Sequence, residues 1–180
     1  VSALGDSGGG TDIGIEALKA ARRGKDGRGL PTTLTARIEA AFHLNEIEDA
    51  ADWFIAEFGG SGDASPLAPL VFEAAEAGDR VARDILEAAG DELGLCARLS
   101  AIRLFRPDQP LTLVLGGSVL QKPTLPLMRD AIAAQLRRVF PDLSVHVLDA
   151  PPVVGGAFYA LDLLKDQGAL PTDFPWPDPA

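Results

Sequence analysis

The chain has 180 residues, a formal net charge of -10 and 47% hydrophobic residues, the balance of one soluble globular domain or one large lobe of a larger protein. No apolar run is long enough to span a bilayer, and the acidic excess argues against a nucleic-acid partner, which needs a concentrated cationic patch. The single cysteine, Cys96, excludes an internal disulfide, and its apolar surroundings predict a buried thiol. We therefore expect a cytoplasmic protein without a membrane partner.

The first half of the chain is predicted to be helical. A Thr11 cap opens the first apolar pattern, and Ser65 followed by proline has the form of a second helix start. Apolar residues at helical spacing predict five helices, over 11–23, 32–42, 46–58, 66–76 and 79–104.

The pattern changes after the loop RPDQP. LTLVLGG (111–117) predicts a buried strand, and the alternating LSVHVLDA (143–150) predicts a second one. A helix over 123–140 connects them, so the two strands should be parallel in a right-handed βαβ unit. A final helix over 153–165 and a proline-rich tail over 167–180 follow.

Two parallel strands alone make an unusual sheet. Parallel sheets are normally buried on both faces, and a two-stranded one leaves its edges unpaired. Either this pattern misses strands, or the rest of the sheet lies before Val1.

The stretch GDSGGGTDIG (5–14) is the first candidate ligand loop. It is not a P-loop or a dinucleotide loop, because no Lys-Ser or Lys-Thr pair closes it and no strand precedes it in the chain. Asp6 sits on a glycine-framed turn, where a carboxylate can accept two hydroxyl hydrogen bonds from a sugar. The alternative is that Asp6 caps neighbouring backbone amides and that the glycines only permit the turn.

The stretch LVLGGSVL (113–120) is the second candidate. Gly116 and Gly117 follow a predicted parallel strand, at the end where α/β proteins usually bind ligands. Glycines there allow the backbone to approach a flat group such as adenine, although a plain strand-to-helix turn explains them equally well. A further pair, Gly155-Gly156, predicts close packing of the last helix, with ligand contact as the second explanation.

The chemistry-bearing side chains do not form a catalytic set. His43 follows a predicted helix and His146 lies within a predicted strand, so neither is placed as a base. The sequence contains no nucleophile elbow and no zinc-ligand spacing. We therefore predict no metal ligands within this chain and assign no catalytic residue from these patterns.

The chain contains four segments in this order: GDSGGGTDIGIEALKAARRGKDGRG, SPLAPLVFEAAEAGD, LVLGGSVL and PPVVGGAFYAL. Together they resemble the C-terminal half of N-acetylglucosamine kinases. The wider group is the BadF/BadG/BcrA/BcrD ATPase family, within the sugar kinase, Hsp70 and actin superfamily. The resemblance implies a helix-rich α/β fold: residues 1–166 would form the C-terminal lobe of a ribonuclease H-like (actin-like ATPase) fold. The first three strands of its sheet would be missing from this chain, and residues 167–180 would form a tail.

The resemblance also implies roles for individual residues. The family's Gly-Asp-Glu-Gly-Ser motif matches residues 5–9, with Ser7 and Gly9 in place of its glutamate and serine. Its aspartate contacts sugar hydroxyls, which implies that the substrate-binding residues are Gly5, Asp6 and Gly8. The nucleotide-binding residues would be Gly116, Gly117, Ser118 and Val119 on adenosine, with Ser65 lining the nucleotide cleft.

The implied activity is ATP-dependent phosphorylation of an amino sugar such as N-acetylglucosamine, with Mg²⁺. The general base and the phosphate loops would lie upstream, in an N-terminal lobe, so that this fragment alone would be inactive. Such kinases often form homodimers. The alternatives are a non-catalytic lobe that binds a sugar or nucleotide, and a BadF/BcrA-type ATPase with another substrate. The single Cys96 argues against the branch of that family that carries an iron–sulfur cluster.

Overall fold

The computed structural model describes residues 8–50, 63–121, 125–150 and 152–168. Within these ranges the helices are α1 (Gly10–Lys25), α2 (Leu34–Ala41), α3 (Ala68–Glu76), α4 (Arg80–Leu104), α5 (Ser118–Gln121), α6 (Leu127–Arg137) and α7 (Pro152–Asp166). The strands are β1 (Leu111–Leu115) and β2 (Leu143–Val147), and short 3-10 turns cover Ile47–Asp49 and Ser65–Leu67. The prediction of a helix-rich α/β chain is confirmed, whereas the actin-like lobe stays a prediction.

The two strands form the predicted parallel pair. Their register runs from Leu111 opposite Leu143 to Leu115 opposite Val147. Helix α6 lies between them in sequence and packs against β2. Both strands are shorter than the patterns suggested, because Gly116 already leaves the ladder and β2 ends at Val147.

One face of this sheet is covered and the other is open. Leu111 and Leu115 are buried in a cluster with Ile132, Leu136 and Phe140. On the opposite face Val114 is 53% exposed, and Thr112, Ser144 and His146 are also exposed. Alternate residues of a strand point to opposite faces, so the packing of α6 on one face leaves the other uncovered in the described part of the chain.

Helix α4 connects two apolar clusters. The first is formed by residues of α1, α2, α3 and the beginning of α4, and includes Met128 of α6. The second contains Ala101 from the end of α4, both strands and α6. Leu93 and Leu120 pack against both clusters, so they lie where the two clusters meet.

Two glycines bring the backbones of α4 and α6 into contact. A Cβ added to Gly90 would lie 2.7 Å from the carbonyl oxygen of Met128. One added to Gly94 would lie 2.8 Å from Cβ of Gln135. Residues four apart share one face of a helix, so Gly90 and Gly94 together form a flat strip on which α6 rests.

Several local predictions are wrong at this level. Helix α1 begins at Gly10 after an N-cap at Gly9, so Thr11 is not the cap. Ser65 begins a 3-10 turn whose N-cap is Ala64, and the turn has no side-chain cap, so Ser65 is not the cap either. The backbone N–H of Ser65 donates to Asp63. The predicted helix over 46–58 is not contradicted: its described part is the 3-10 turn Ile47–Asp49 followed by Ala50 in helical conformation, and residues 51–58 lie outside the described residues.

The predictions for Cys96 and for the last glycine pair also need correction. Cys96 is exposed, because the core-facing stripe of α4 runs through Gly90, Gly94 and Ala101 on another side of the helix. Beside Gly155 and Gly156, no atom of the described chain would lie within 4 Å of an added Cβ. The predicted close packing at this pair is therefore not found in the described residues.

None of the described helices combines the length and the apolar character that crossing a membrane requires.

Asp79 organises the start of α4. Its carboxylate accepts hydrogen bonds from the backbone N–H of Ala82 at 3.0 Å and of Thr33 at 2.6 Å, and from the hydroxyls of Thr33 and Thr32. Burial raises the pKa of this carboxyl, but the hydrogen bonds outweigh burial and hold the pKa below its ordinary value. One side chain thus caps α4 and ties it to the segment before α2.

We expect Gly90→Ala to lower the free energy of unfolding by about 1–3 kcal/mol, because the added methyl meets backbone atoms of Met128 that cannot turn away. Gly155→Ala is the matched control, since it also places alanine for glycine in a helix but meets no described atom. The control should leave stability unchanged or raise it by up to about 1 kcal/mol. Urea unfolding followed by circular dichroism measures both, and equal effects would contradict the close contact of α4 and α6.

Asp79→Asn should cost about 1–2 kcal/mol at neutral pH, because an amide keeps the cap on Ala82 but loses acceptor capacity toward the threonines. The folded pKa of Asp79 is depressed, so its contribution is present above the unfolded-state pKa of about 4 and is lost as pH falls through the lower folded value. The difference in unfolding free energy between wild type and variant should therefore shrink below about pH 4. A difference that is constant from pH 3 to pH 7 would exclude this role.

Candidate functional site

A cleft of about 480 Å³ opens between the start of α1 and the loop after β1. One wall is formed by residues 8–12 and the other by residues 116–120, with Leu93 of α4 between them. Five of these lining residues are glycines, so backbone rather than side chains forms much of the cleft surface. The two candidate ligand loops of the sequence therefore face each other.

The wall after β1 has the geometry of a sharp strand-to-helix turn. Gly117 has φ +95°, a left-handed conformation that favours glycine, and α5 begins at Ser118. The carbonyl oxygen of Gly117 accepts hydrogen bonds from Leu120 and Gln121, which closes the short helix. A Cβ on Gly117 would meet no atom of the described chain within 4 Å, so this backbone is open on that side as far as the described residues go.

The opposite wall depends on close contact with α4. Gly8 has φ +94°, and a Cβ there would lie 2.5 Å from Cγ of Leu93. A side chain at Gly10 would approach Cβ of Ser65 at 3.2 Å and Cγ2 of Val119 at 3.8 Å. The beginning of α1 is thereby held against α4 and reaches the other wall.

The structure brings together some of the predicted site residues and leaves others aside. Gly8 and the four residues 116–119 share the cleft. Ser65 does not line it but lies behind Gly10. Gly5 and Asp6 lie outside the described residues. The binding roles of all these residues stay predictions.

Six lining residues were not among the predicted site residues, namely Gly9, Gly10, Thr11, Asp12, Leu93 and Leu120. Thr11 had been interpreted as a helix cap, Asp12 carried no motif, and Leu93 belongs to an ordinary apolar stripe of α4. For Thr11 and Asp12 the available signal was their position directly after the three glycines. Leu93 had no sequence signal, because only the packing of α4 brings it to the cleft.

A hydrogen-bond network supports the α1 wall from behind. The hydroxyl of Thr11 donates to Oδ1 of Asp63 at 2.9 Å, and the backbone N–H of Ser65 donates to the same oxygen at 3.0 Å. The hydrogen bonds from Ser65 and then Thr11 hold the pKa of the Asp63 carboxyl below its ordinary value. Asp63 thus fixes the predicted nucleotide-side residue Ser65 to the start of α1.

The charge of the cleft limits what it can bind. Among the described residues that line the cleft, Asp12 is the ionisable one, and none is a lysine, arginine or histidine. The described residues also contain no group of three or more potential metal ligands. An anionic ligand group in this cleft would therefore be met by backbone N–H groups rather than by side-chain cations.

A second groove lies between α1 and α4, and its acidic lining is unfavourable for binding phosphate. Its volume is about 500 Å³, and its lining includes the carboxylates Asp12, Glu16, Asp84 and Glu92. Two of them are already paired, Glu16 with Lys19 and Asp84 with Arg80. The first cleft is thus the better candidate for a ligand that carries phosphate.

Two curated proteins are similar to this chain. It is 26% identical over 165 residues to an N-acetyl-D-glucosamine kinase of Dictyostelium discoideum, and this match covers 90% of the chain and 51% of that protein. It is 32% identical over 117 residues to an N-acetylmuramic acid/N-acetylglucosamine kinase of Clostridium acetobutylicum, with 65% of the chain and 38% of that protein covered. The predicted resemblance to N-acetylglucosamine kinases is confirmed.

The similarity to these kinases is partial in length. The chain spans about half of the Dictyostelium kinase and a smaller share of the Clostridium kinase. No protein-family model and no solved structure matches the chain. We therefore treat a kinase activity of this protein as a proposal.

We expect Thr11→Val to release Ser65 from the α1 wall, because valine keeps the shape of threonine but cannot donate to Asp63. Amide hydrogen exchange of residues 63, 64, 65 and 67 should accelerate, while the free energy of unfolding changes little, because this hydrogen bond is exposed to solvent. Thr35→Val is the matched control, since its hydroxyl donates to the Ala21 carbonyl away from the cleft. Unchanged exchange at 63–67 in Thr11→Val would show that the network does not hold this wall.

Proposed function

We propose that this chain is the C-terminal lobe of an ATP-dependent kinase that phosphorylates an amino sugar such as N-acetylglucosamine. The observation that carries the proposal is the cleft in which the two glycine-rich loops meet. The similarity to two kinases with N-acetylglucosamine in their names supports the substrate class. The chain would supply the adenosine-binding surface and part of the sugar-binding surface.

The nucleotide would lie against residues 116–119. A flat ring requires close approach of backbone, and the open space beside Gly117 allows it. This loop follows the carboxyl end of a parallel strand, which is the common ligand position in α/β folds. Val119, half-buried at the start of α5, would add an apolar contact for the ring or ribose.

The sugar would lie on the side of residues 5–8. Asp6 is two residues before Gly8 in the sequence, and Gly8 lines the cleft. Its carboxylate could accept hydrogen bonds from two hydroxyl groups of the sugar. Gly5 and Gly8 would permit the turn that presents this carboxylate.

The phosphates and Mg²⁺ would be held mainly by groups outside the described residues. Mg²⁺ in such sites is usually bound by one or two carboxylates together with phosphate oxygens, and Asp12 is the carboxylate that fits this pattern in the cleft. Bound Mg²⁺ would neutralise charge on the transferred phosphoryl group. The general base and the phosphate loops would belong to an N-terminal lobe, whose closure would exclude water.

The same proposal accounts for the exposed part of the sheet. The three strands that would complete the sheet of this C-terminal lobe would pair with its edge, and Val114, at 53% exposure, lies on a face that a segment outside the described residues could cover. We also propose that the lobe ends near residue 166, that the protein is cytoplasmic and that two copies form a homodimer. The fragment alone would then lack phosphoryl transfer.

The decisive test uses the intact protein and compares two variants. Asp6→Ala should raise the KM for the sugar at least about tenfold with little change in the KM for ATP, because it removes a charge-assisted contact to hydroxyls. Gly117→Val should do the reverse, because valine fills the space beside the loop and disfavours φ +95°. Steady-state kinetics with N-acetylglucosamine and ATP measures both.

The outcomes separate the proposal from its alternatives. ATP binding without transfer to any amino sugar would favour a non-catalytic binding lobe. ATP hydrolysis that sugar does not stimulate would favour an ATPase with another substrate. No detectable ATP binding in isothermal titration calorimetry would exclude the kinase assignment. If Asp6→Ala raised the KM for ATP and Gly117→Val raised the KM for the sugar, the proposed division of roles between the loops would be excluded.

A further inference from the structure

Gln121, the last residue of α5, connects the loops that follow the two strands. Its Oε1 accepts a hydrogen bond from the backbone N–H of Gly117 at 2.9 Å. Its Nε2 donates to the carbonyl oxygens of Leu148 and Ala150, the latter at 3.0 Å. A single amide thus joins the loop after β1 to the segment between β2 and α7.

The chemistry of these three bonds requires an amide of this length. Two backbone carbonyls need a donor, and the Gly117 N–H needs an acceptor, so the side chain must offer both on one planar group. Glutamate would keep the acceptor but place an oxygen against the two carbonyls. Methionine would keep the length and lose both functions, and asparagine would be one carbon shorter.

The segment that Gln121 binds is itself fixed to the sheet. The backbone N–H of Leu148 donates to the carbonyl of Leu115 at 2.9 Å. A Cβ on Gly116 would lie 3.1 Å from Cδ1 of Leu148, so the two loops are also in near contact. Gln121 therefore anchors Gly117 to a rigid neighbour.

Gly117 is the residue that most needs such an anchor. It adopts φ +95°, and glycine populates several other conformations with similar ease. Within the described residues, and apart from its two chain neighbours, no atom would lie within 4 Å of a Cβ built on Gly117, so packing by described side chains does not restrain it there. The hydrogen bond from its N–H to Gln121 restrains the turn at the cleft wall.

We propose that Gln121 is a positioning residue for the nucleotide-side loop, holding Gly116 and Gly117 in the conformation that receives ATP. The part that concerns ATP rests on the proposed kinase function. Gln121 does not line the cleft and acts through Gly117. Without the anchor the competent conformation is less populated, and apparent affinity falls in proportion to that population.

The test is Gln121→Met in the intact protein, with Gln109→Met as the matched control. Gln109 also uses its amide oxygen to accept a backbone N–H, that of Arg106, but it lies in the exposed loop before β1. Two measurements are compared: amide hydrogen exchange at Gly117 by NMR, and the KM values for ATP and N-acetylglucosamine. Gln121→Glu, which keeps only the acceptor, shows whether the two donated bonds are required.

Gln121→Met should accelerate exchange of the Gly117 amide and raise the KM for ATP roughly tenfold, with the sugar KM nearly unchanged. Gln109→Met should change none of these. The proposal is overturned if exchange at Gly117 matches the control, or if both KM values rise together with a loss of global stability. If the wild-type protein binds no ATP, the kinase function fails, while faster exchange at Gly117 still supports the anchoring of the loop.

Discussion

The contact of α4 with α6 is the constraint on which the rest of the structure depends. Gly90 and Gly94 let the two backbones touch, so α6 lies flat on α4 and covers one face of the sheet. The sheet in turn sets where β1 ends and where its glycine loop emerges. Leu93, on the same helix, then separates the two walls of the cleft. Larger residues at positions 90 and 94 would shift the sheet and the cleft together.

The cleft is built mainly from backbone, and hydrogen bonds hold each of its walls from behind. Asp63 ties Ser65 to the start of α1, and Gln121 ties Gly117 to the segment after β2. This arrangement agrees with a chain of net charge -10 that nevertheless resembles kinases. Backbone amides can face phosphate without adding cations, and in the proposed kinase the remaining charge compensation would come from Mg²⁺ and a second lobe.

The local elements were largely predictable, and one of the errors has a clear physical cause. Apolar periodicity identified α4 and both strands, because burial of one face imposes a regular spacing. Thr11 and Ser65 were expected to cap helices, since a hydroxyl near a helix start usually does so. Thr11 instead donates its hydroxyl to Asp63, which is far from it in sequence, whereas the backbone N–H of Ser65 donates to the same carboxylate two residues before it. For Thr11 the local rule fails because a distant acceptor competes for its hydroxyl.

The sequence by itself determined the order of helices and strands, the resemblance to N-acetylglucosamine kinases, and the two glycine-rich loops as candidate ligand sites. These features depend on residues near one another in the chain. Tertiary structure alone decided that the loops face each other, that Cys96 is exposed, and that Gln121 anchors Gly117. The physical reason is that the packing of α4 against α1 and α6 joins segments whose local patterns carry no information about one another.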